Sequence, residues 1–422
     1  MYEEILLKNN LTVVYEKLPF VRSVSFGLWI GTGSRYETPN INGISHFVEH
    51  MLFKGTETKT ARDIAMTTDN IGGQINAFTG KECTCYYTKT LDSDLETGIE
   101  LISDMLFNSR FDPAHIETEK NVIVEEIGMY EDYPEEMVHD MLSEEIWSGN
   151  SLGYPILGSN QTVSDISREN ILDYMKSHYV PENSVISVAG NFDEKQLVEM
   201  VEKYFGSWKS HDYCKVRAYK PWFNSSLKLK RKETEQVHMC LGFRGVKHGE
   251  ESIYSLLALN NILGGGMSSR LFQKVREEMG LAYSIYSYPT SYRDVGMFTI
   301  YAAASPKKYN EVINLIKDEI SNLTHDTISD SDLEKAKNQL KGSYILGLDS
   351  TSSRMNGMGK SQLITGKIRT SDEILESIDK VTIESVRNVI DYVFRQEQMG
   401  MSAIGDVDFE PGLLNKITFR PI

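Results

Sequence analysis

The sequence predicts an α+β chain built from two homologous α/β-sandwich-like domains, each a mixed or antiparallel sheet with helices packed on one face. Three observations predict it. The first is a repeat at one offset: Gly190 and Gly405, Asp193 and Asp408, and Glu119 and Glu334 are each 215 positions apart. Unrelated matches would not share an offset, and self-similarity of this kind marks a duplicated unit. The second is alternation. Val24, Phe26, Leu28 and Ile30 follow a period of two, as do Val237, Met239, Leu241 and Phe243, the pattern of a half-buried strand. The third is helical spacing. Leu95, Ile99, Ile102 and Leu106 form one apolar stripe, and Val312, Ile316, Ile320 and Leu323 form its counterpart.

The repeat also orders the elements. Ile171-Leu172-Asp173-Tyr174 precedes a strand and then Ala189-Gly190-Asn191-Phe192-Asp193; Val389-Ile390-Asp391-Tyr392 precedes a strand and then Ile404-Gly405-Asp406-Val407-Asp408. Strands and helices within each half suggest sheets covered by helices. The expected division is a first domain at 1–208, a linker at 209–226 containing Lys220-Pro221, and a second domain at 227–422.

Bulk properties exclude several classes. The 422 residues are 40 % hydrophobic and 25 % charged, enough for a buried core without disulfides. A net charge of −16 argues against a nucleic-acid partner, because phosphate binding needs a positive footprint. No stretch approaches a membrane span. MYEEILLKNN lacks the basic and apolar regions of a signal peptide, so a cytoplasmic protein is expected. Four cysteines suit a reducing compartment. Cys83 and Cys85 would share one strand face as packing residues, since no second pair completes a metal site.

The chemistry concentrates in Asn42-Gly43-Ile44-Ser45-His46-Phe47-Val48-Glu49-His50-Met51-Leu52-Phe53-Lys54-Gly55. It reads as a helix, capped by Asn42 or Ser45 and ended by Gly55. His46 and His50 are four apart and project from one face. Two neutral imidazoles one turn apart suit a tetrahedral Zn²⁺. Glu49 places a carboxylate beside them, in the H-x-x-E-H order of an inverted zincin. Zinc peptidase chemistry needs such a group to accept a proton from water and deliver it to the leaving amine. The third ligand would be a downstream His or acid. The same three side chains can also form an ordinary polar helix face. Their setting among Ile44, Phe47, Val48, Met51, Leu52 and Phe53 favours the metal, because buried polar groups need partners.

At these residues the chain resembles the pitrilysin/insulinase family of zinc peptidases, and most of all their mitochondrial-processing-peptidase-like branch. The resemblance runs over nearly the whole chain. It implies Glu126 as the third ligand, in Glu119-Lys120-Asn121-Val122-Ile123-Val124-Glu125-Glu126-Ile127, and Glu119 as a supporting acid. Glu125 is the adjacent competitor, turned about 100° away on a helix. It implies that Asn76, Ala77 and Phe78 lie on an edge strand where an extended peptide adds by backbone hydrogen bonds. It further implies that Arg276 and Tyr283 clamp the substrate or stabilise the oxyanion. The run Gly264-Gly265-Gly266-Met267 resembles the family's glycine-rich loop; it would cradle substrate backbone or only make a turn.

The reading that follows is a zinc metalloendopeptidase acting on unfolded or flexible peptides, with one Zn²⁺ per chain. The alternative is a catalytically silent peptide-binding or structural member that works with a partner subunit. The 215 offset sets Asn261, Gly265 and Lys341 opposite His46, His50 and Glu126, so the second half lacks the ligands. The family encloses its site between two bowls of two domains each, and this chain supplies one bowl. A homodimer is therefore expected, with a heterodimer including a metal-free homologue also allowed.

Overall fold

A computed structural model of the chain describes residues 2–209, 218–325 and 328–409. Residues 210–217 of the expected linker lie outside the described residues, as do 410–422 at the end of the second expected domain. The chain forms two compact units, neither of them one continuous segment. The first comprises Met1–Gly128, Tyr154–Ala218 and Ile345–Thr370; the second comprises Met129–Gly153, Tyr219–Tyr344 and Ser371–Ile422. The continuous ranges expected from the sequence follow the repeat, whereas packing builds one segment of each half into the other unit. No described helix is long and apolar enough to cross a membrane.

The sheet of the first unit has six strands: β1 (Glu3–Leu6), β2 (Thr12–Lys17), β3 (Ser23–Ile30), β4 (Gln74–Thr79), β5 (Thr84–Leu91) and β6 (Ser184–Gly190). Their order is β1-β2-β6-β3-β5-β4. β2 and β6 are parallel, and the other neighbours are antiparallel. Val24, Phe26, Leu28 and Ile30 of β3 are buried in one core with Leu95, Ile99, Ile102 and Leu106 of the helix Leu95–Asn108. The predicted alternation and the predicted stripe therefore meet face to face.

The second unit repeats this plan with β7 (Leu227–Arg231), β8 (Val237–Gly245), β9 (Ala282–Ser291), β10 (Gly296–Ala304) and β11 (Met399–Gly405), ordered β7-β11-β8-β10-β9. β7 and β11 are parallel, as β2 and β6 are. β11 begins and ends 215 residues after β6. Even the helix caps repeat. Ser167 and Thr382, also 215 apart, each close a capping box before the helices Arg168–His178 and Ile383–Val393.

Each sheet carries a helix on its second face as well. In the first unit it is Thr351–Thr365, lying against Ser25, Gly27 and Trp29, the residues between the alternating apolar positions of β3. Ser25 Oγ is 2.9 Å from Thr351 Oγ1. A Cβ at Gly27 would lie 2.4 Å from Met355 Sδ, and one at Gly359 would lie 2.1 Å from Trp29 Nε1. In the second unit the covering helix is Pro134–Ile146. There a Cβ at Gly242 or Gly400 would lie 2.5 or 2.7 Å from the Ile146 side chain. Gly27 and Gly242 are again 215 apart. The covering helices hold corresponding places in the repeat, so the exchange of segments is reciprocal.

This close packing gives a test of sign. Gly359→Ala should lower stability by about 1–3 kcal/mol, the usual cost of overpacking, although Ala is the better helix former. Gly357 on the same helix is exposed and a Cβ there meets nothing within 4 Å. Gly357→Ala should raise stability by up to about 1 kcal/mol. Denaturant unfolding of both variants measures the difference, and shifts of the same sign would contradict the packing account.

Candidate metal centre

The helix α1 (Ile44–Leu52) carries the candidate residues. Ile44, Phe47, Val48 and Met51 are buried in the core of the first unit, which fixes the helix about its axis. Its N-terminus is not capped by Asn42 or Ser45. Glu37 does this from outside the helix. Its Oε2 accepts from the Gly43 N–H and from Asn42 Nδ2, and its Oε1 accepts from the Ser45 N–H, each at 2.8 Å. A buried helix start leaves N–H groups unpaired and favours negative charge there, and Glu37 answers both needs. Burial raises its carboxyl above the ordinary range, while hydrogen bonds from Ser45, Asn42 and Gly43 oppose that shift. Ser45 Oγ is also bonded to Tyr174 Oη at 2.7 Å, which in turn meets Thr32 Oγ1 at 2.6 Å. At the far end the helix stops at Leu52, before Gly55. The Phe53 N–H bonds to His50 O and the Lys54 N–H to Met51 O.

His46, His50 and Glu126 come together, each offering a ligand atom within 4.8 Å of the others. Glu126 lies on the helix Pro113–Asp132. His46 Nε2 is 3.8 Å from Glu126 Oε1, and His50 Nε2 is 3.6 Å from Glu126 Oε2. These spacings exceed a hydrogen bond. Two ligand atoms at corners of a tetrahedron, with metal bonds near 2.1 Å, would be roughly 3.4 Å apart. The donor set therefore fits one small divalent cation. Burial lowers the His46 imidazole to about 3, with His50 adding to the effect, so its lone pair is available. Glu125 is exposed, and Glu126 is the acid that faces the histidines. Glu119 is buried, and its Oε2 lies 3.0 Å from His50 Nδ1. Among the described residues, no other group of three or more His, Cys, Asp or Glu converges in this way.

Glu49 is tied to the sheet rather than to the histidines. Its Oε2 accepts from Thr79 Oγ1 at 2.5 Å, and burial raises its carboxyl above the ordinary range. Thr79 ends β4, the edge strand. Ile75, Ala77 and Thr79 share the less exposed face, while Asn76 and Phe78 are exposed. The Ala77 N–H is bonded to Asn76 Oδ1 at 2.8 Å. That donor is held by a side chain, so an incoming peptide strand could take it over.

The second unit carries Arg276 and Tyr283. The Arg276 guanidinium lies 4.7 Å from the centroids of both the Phe272 and Tyr283 rings, and Tyr283 is exposed. Residues Phe272–Glu278 form a π-helical turn. In this unit β9 holds the edge position that β4 holds in the first. Its Ser287 N–H bonds to Gly264 O at 3.1 Å, and a Cβ at Gly264 would lie 2.7 Å from Ser287 N. Gly264 thus lets the loop close onto the strand edge. Ser287 Oγ also donates to Asn260 Oδ1 at 2.8 Å. This link resembles that of Thr79 with Glu49, from a different position along the edge strand. Leu263 ends the helix Ile253–Leu263 as Leu52 ends α1, which makes the local offset 211 instead of 215. His46, Glu49 and His50 then correspond to Leu257, Asn260 and Asn261, correcting the pairing of His46 with Asn261 and His50 with Gly265. Cys83 and Cys85 lie together in an apolar cluster with Trp29.

Comparison with known proteins agrees with this architecture. Residues 12–160 match the model of the insulinase family, peptidase family M16, and residues 165–340 match that of the peptidase M16 inactive domain. The uncharacterized zinc protease YmxG of Bacillus subtilis is 47 % identical over 397 residues, covering 94 % of this chain and 97 % of the relative. An uncharacterized zinc protease of Streptomyces coelicolor is 40 % identical, covering 91 % and 85 % respectively. The chain belongs to the insulinase family of peptidases, M16. Two solved structures share the fold at a TM-score of 0.90: a protease from Helicobacter pylori, at 21 % identity over 96 % of this chain and 99 % of that one, and a peptidase M16 inactive domain from Pseudomonas fluorescens, at 17 % identity over 97 % and 99 %.

Three residues at this centre have no assignment from the sequence: Glu37, Lys54 and Thr79. Thr79 was detectable in principle, since it follows Ile75 and Ala77 in the inward phase of β4. Glu37 supports the most direct test. Glu37→Ala leaves buried N–H donors unpaired and should cost roughly 2–4 kcal/mol of stability. Urea unfolding of the metal-free protein checks this, and a loss below about 0.5 kcal/mol, typical of surface changes, would contradict the capping role.

Proposed function

We propose that the chain is a zinc metallopeptidase that cleaves unfolded or flexible peptides bound in extended form. The observation that carries this reading is the meeting of His46, His50 and Glu126 with Glu49 on the same helix. The naming of relatives as zinc proteases supports zinc as the cation. His46, His50 and Glu126 would hold one ion per chain. When bound, zinc would polarise the scissile carbonyl and make water more acidic.

The remaining work falls to the chain's own side chains. Glu49 accepts the proton of the attacking water and returns it to the leaving amine. Thr79 holds one Glu49 oxygen and so aims the other. Because Thr79 also ends β4, the base is set against the strand along which substrate would lie. A peptide there pairs with the backbone of Asn76, Ala77 and Phe78, displacing the Asn76 side chain from the Ala77 N–H. Backbone pairing of this kind tolerates varied sequences. Arg276 and Tyr283 supply donors for the substrate carbonyl or the developing oxyanion. We assign them to a site completed by a second copy of the chain, in a cytoplasmic homodimer. The inactive-domain likeness of residues 165–340 falls outside α1 and Glu126. It does not favour a silent protein.

Cleavage of a quenched fluorescent peptide, with zinc measured on the same sample, tests the reading. Activity should disappear with a chelator and return with zinc. Folded protein that takes up no zinc and cleaves no peptide in a varied set would overturn it in favour of a peptide-binding role. Glu49→Gln should retain zinc and lose at least about 100-fold in kcat, the scale of a missing general base. Wild-type turnover in that variant would remove Glu49 from its role. Mixing Glu49→Gln chains with Arg276→Ala chains should restore activity in exchanged dimers, and no recovery would place Arg276 in the service of its own chain.

A further inference from the structure

Lys54 lies two residues beyond α1, and the metal reading gives it no task. Its Nζ is 2.6 Å from Glu119 Oε1. The other oxygen of that carboxylate is 3.0 Å from His50 Nδ1. Glu119 is 2 % exposed, while Lys54 is about one-third exposed at its side chain. The three groups form a chain from solvent to the candidate metal centre: ammonium, carboxylate, imidazole. Lys54 follows His50 by four residues and is held by its N–H bond to Met51 O. One helix end therefore presents both the ligand and the cation that steadies the ligand's partner.

A carboxylate enclosed this fully is costly without a compensating charge. Lys54 supplies that charge and pins one oxygen, leaving the second free to receive only the His50 Nδ1 proton. That fixes the His50 tautomer with Nε2 bare and turned toward Glu126. The repeat gives an internal comparison. Glu334, the counterpart of Glu119, is exposed and lies 3.6 Å from Lys337 on its own helix. At the local offset of 211, Gly265 stands where Lys54 does. The acid is present in both halves, but it is buried and charge-paired across elements only where the histidines are.

We infer that Lys54 is a positioning residue for the metal centre, acting through Glu119 to orient His50. The inference rests on the zinc reading given above. Metal-bound histidines whose outer hydrogen-bond partners are removed typically lose 10–100-fold in affinity.

The test compares zinc affinity, by competition with a chromophoric chelator, in wild type, Lys54→Met, Lys54→Arg, Glu119→Gln and the Lys54→Met/Glu119→Gln double variant. Lys54→Met should bind zinc about 10–100-fold more weakly, and Lys54→Arg should stay within a few-fold of wild type. The double variant should lose no more than Glu119→Gln alone, because both changes break one chain. Nitrogen-15 shifts of His50 in the zinc-free protein supply a second readout: Nδ1–H in wild type, mixed tautomers in Lys54→Met. Circular dichroism and urea midpoints of the zinc-free variants separate positioning from unfolding. A wild type that holds no zinc overturns the peptidase reading and this inference together. Equal zinc affinity in wild type and Lys54→Met overturns the inference alone, as does a loss that Lys54→Arg fails to restore.

Discussion

A helix buried along most of its length cannot leave its first N–H groups without partners, and in α1 that requirement falls on Glu37. The carboxylate closes the helix start through Gly43 and Ser45 and holds Asn42 at the same time. With the start held there and Phe47, Val48 and Met51 held by the core, α1 has one rotation about its axis. His46 and His50 then face the helix Pro113–Asp132, and Glu49 faces β4. The candidate centre is thus set by a cap and an apolar face before any cation is considered. The centre needs such external support because its own groups repel or ignore one another. Two imidazole nitrogens and a carboxylate meet at 3.6–3.8 Å without a hydrogen bond between them.

The halves show which parts of this arrangement belong to the fold and which to the chemistry. A hydroxyl at the edge strand ties down the helix in both, from Thr79 to Glu49 and from Ser287 to Asn260. An amide serves that tie as well as a carboxylate does, so the tie does not explain the acid. The strand edges differ too. On β9 the Ser287 N–H is taken by Gly264 O, whereas on β4 the Ala77 N–H is held by the adjacent Asn76 side chain. A backbone partner packed on the strand is hard to displace, and a solvent-facing side chain is not. The same plan thus leaves one edge donor held by a neighbouring side chain in the first half and one held by packed backbone in the second.

Local pattern reached as far as local forces do. The spacing of His46, Glu49 and His50 is a property of one helix turn, so it was legible without a structure. Glu126, 76 positions after His50, was reached only through family resemblance, since no periodicity links the two helices. Glu37, Thr79 and Lys54 act across gaps that leave no regular spacing, and Asn42 and Ser45 were the better local candidates for the cap. The strand alternation at Val24, Phe26, Leu28 and Ile30 correctly marked a core face. It was silent about Ser25, Gly27 and Trp29, whose small and mixed character suits a second helix rather than solvent. The 215-residue offset located the repeat, yet it slipped by four at the helix Ile253–Leu263, where the loop before the helix is shorter than in the first half. Conserved spacing survived best in the strands β6 and β11, whose register neighbours on both sides constrain.

The reciprocal exchange of covering helices has a consequence for synthesis. The last strand of the first unit's sheet ends at Gly190, but the helix that covers the sheet's second face, Thr351–Thr365, is made much later. Until then Gly27, Trp29 and Cys85 present an open apolar surface on a nascent chain that already carries His46, His50 and Glu126. Contacts this distant in sequence close slowly, and unfinished faces of this kind attract other chains. The unit holding the candidate centre is therefore the first to be started and among the last to be completed, and its maturation depends on residues made some 160 positions later than its last central strand.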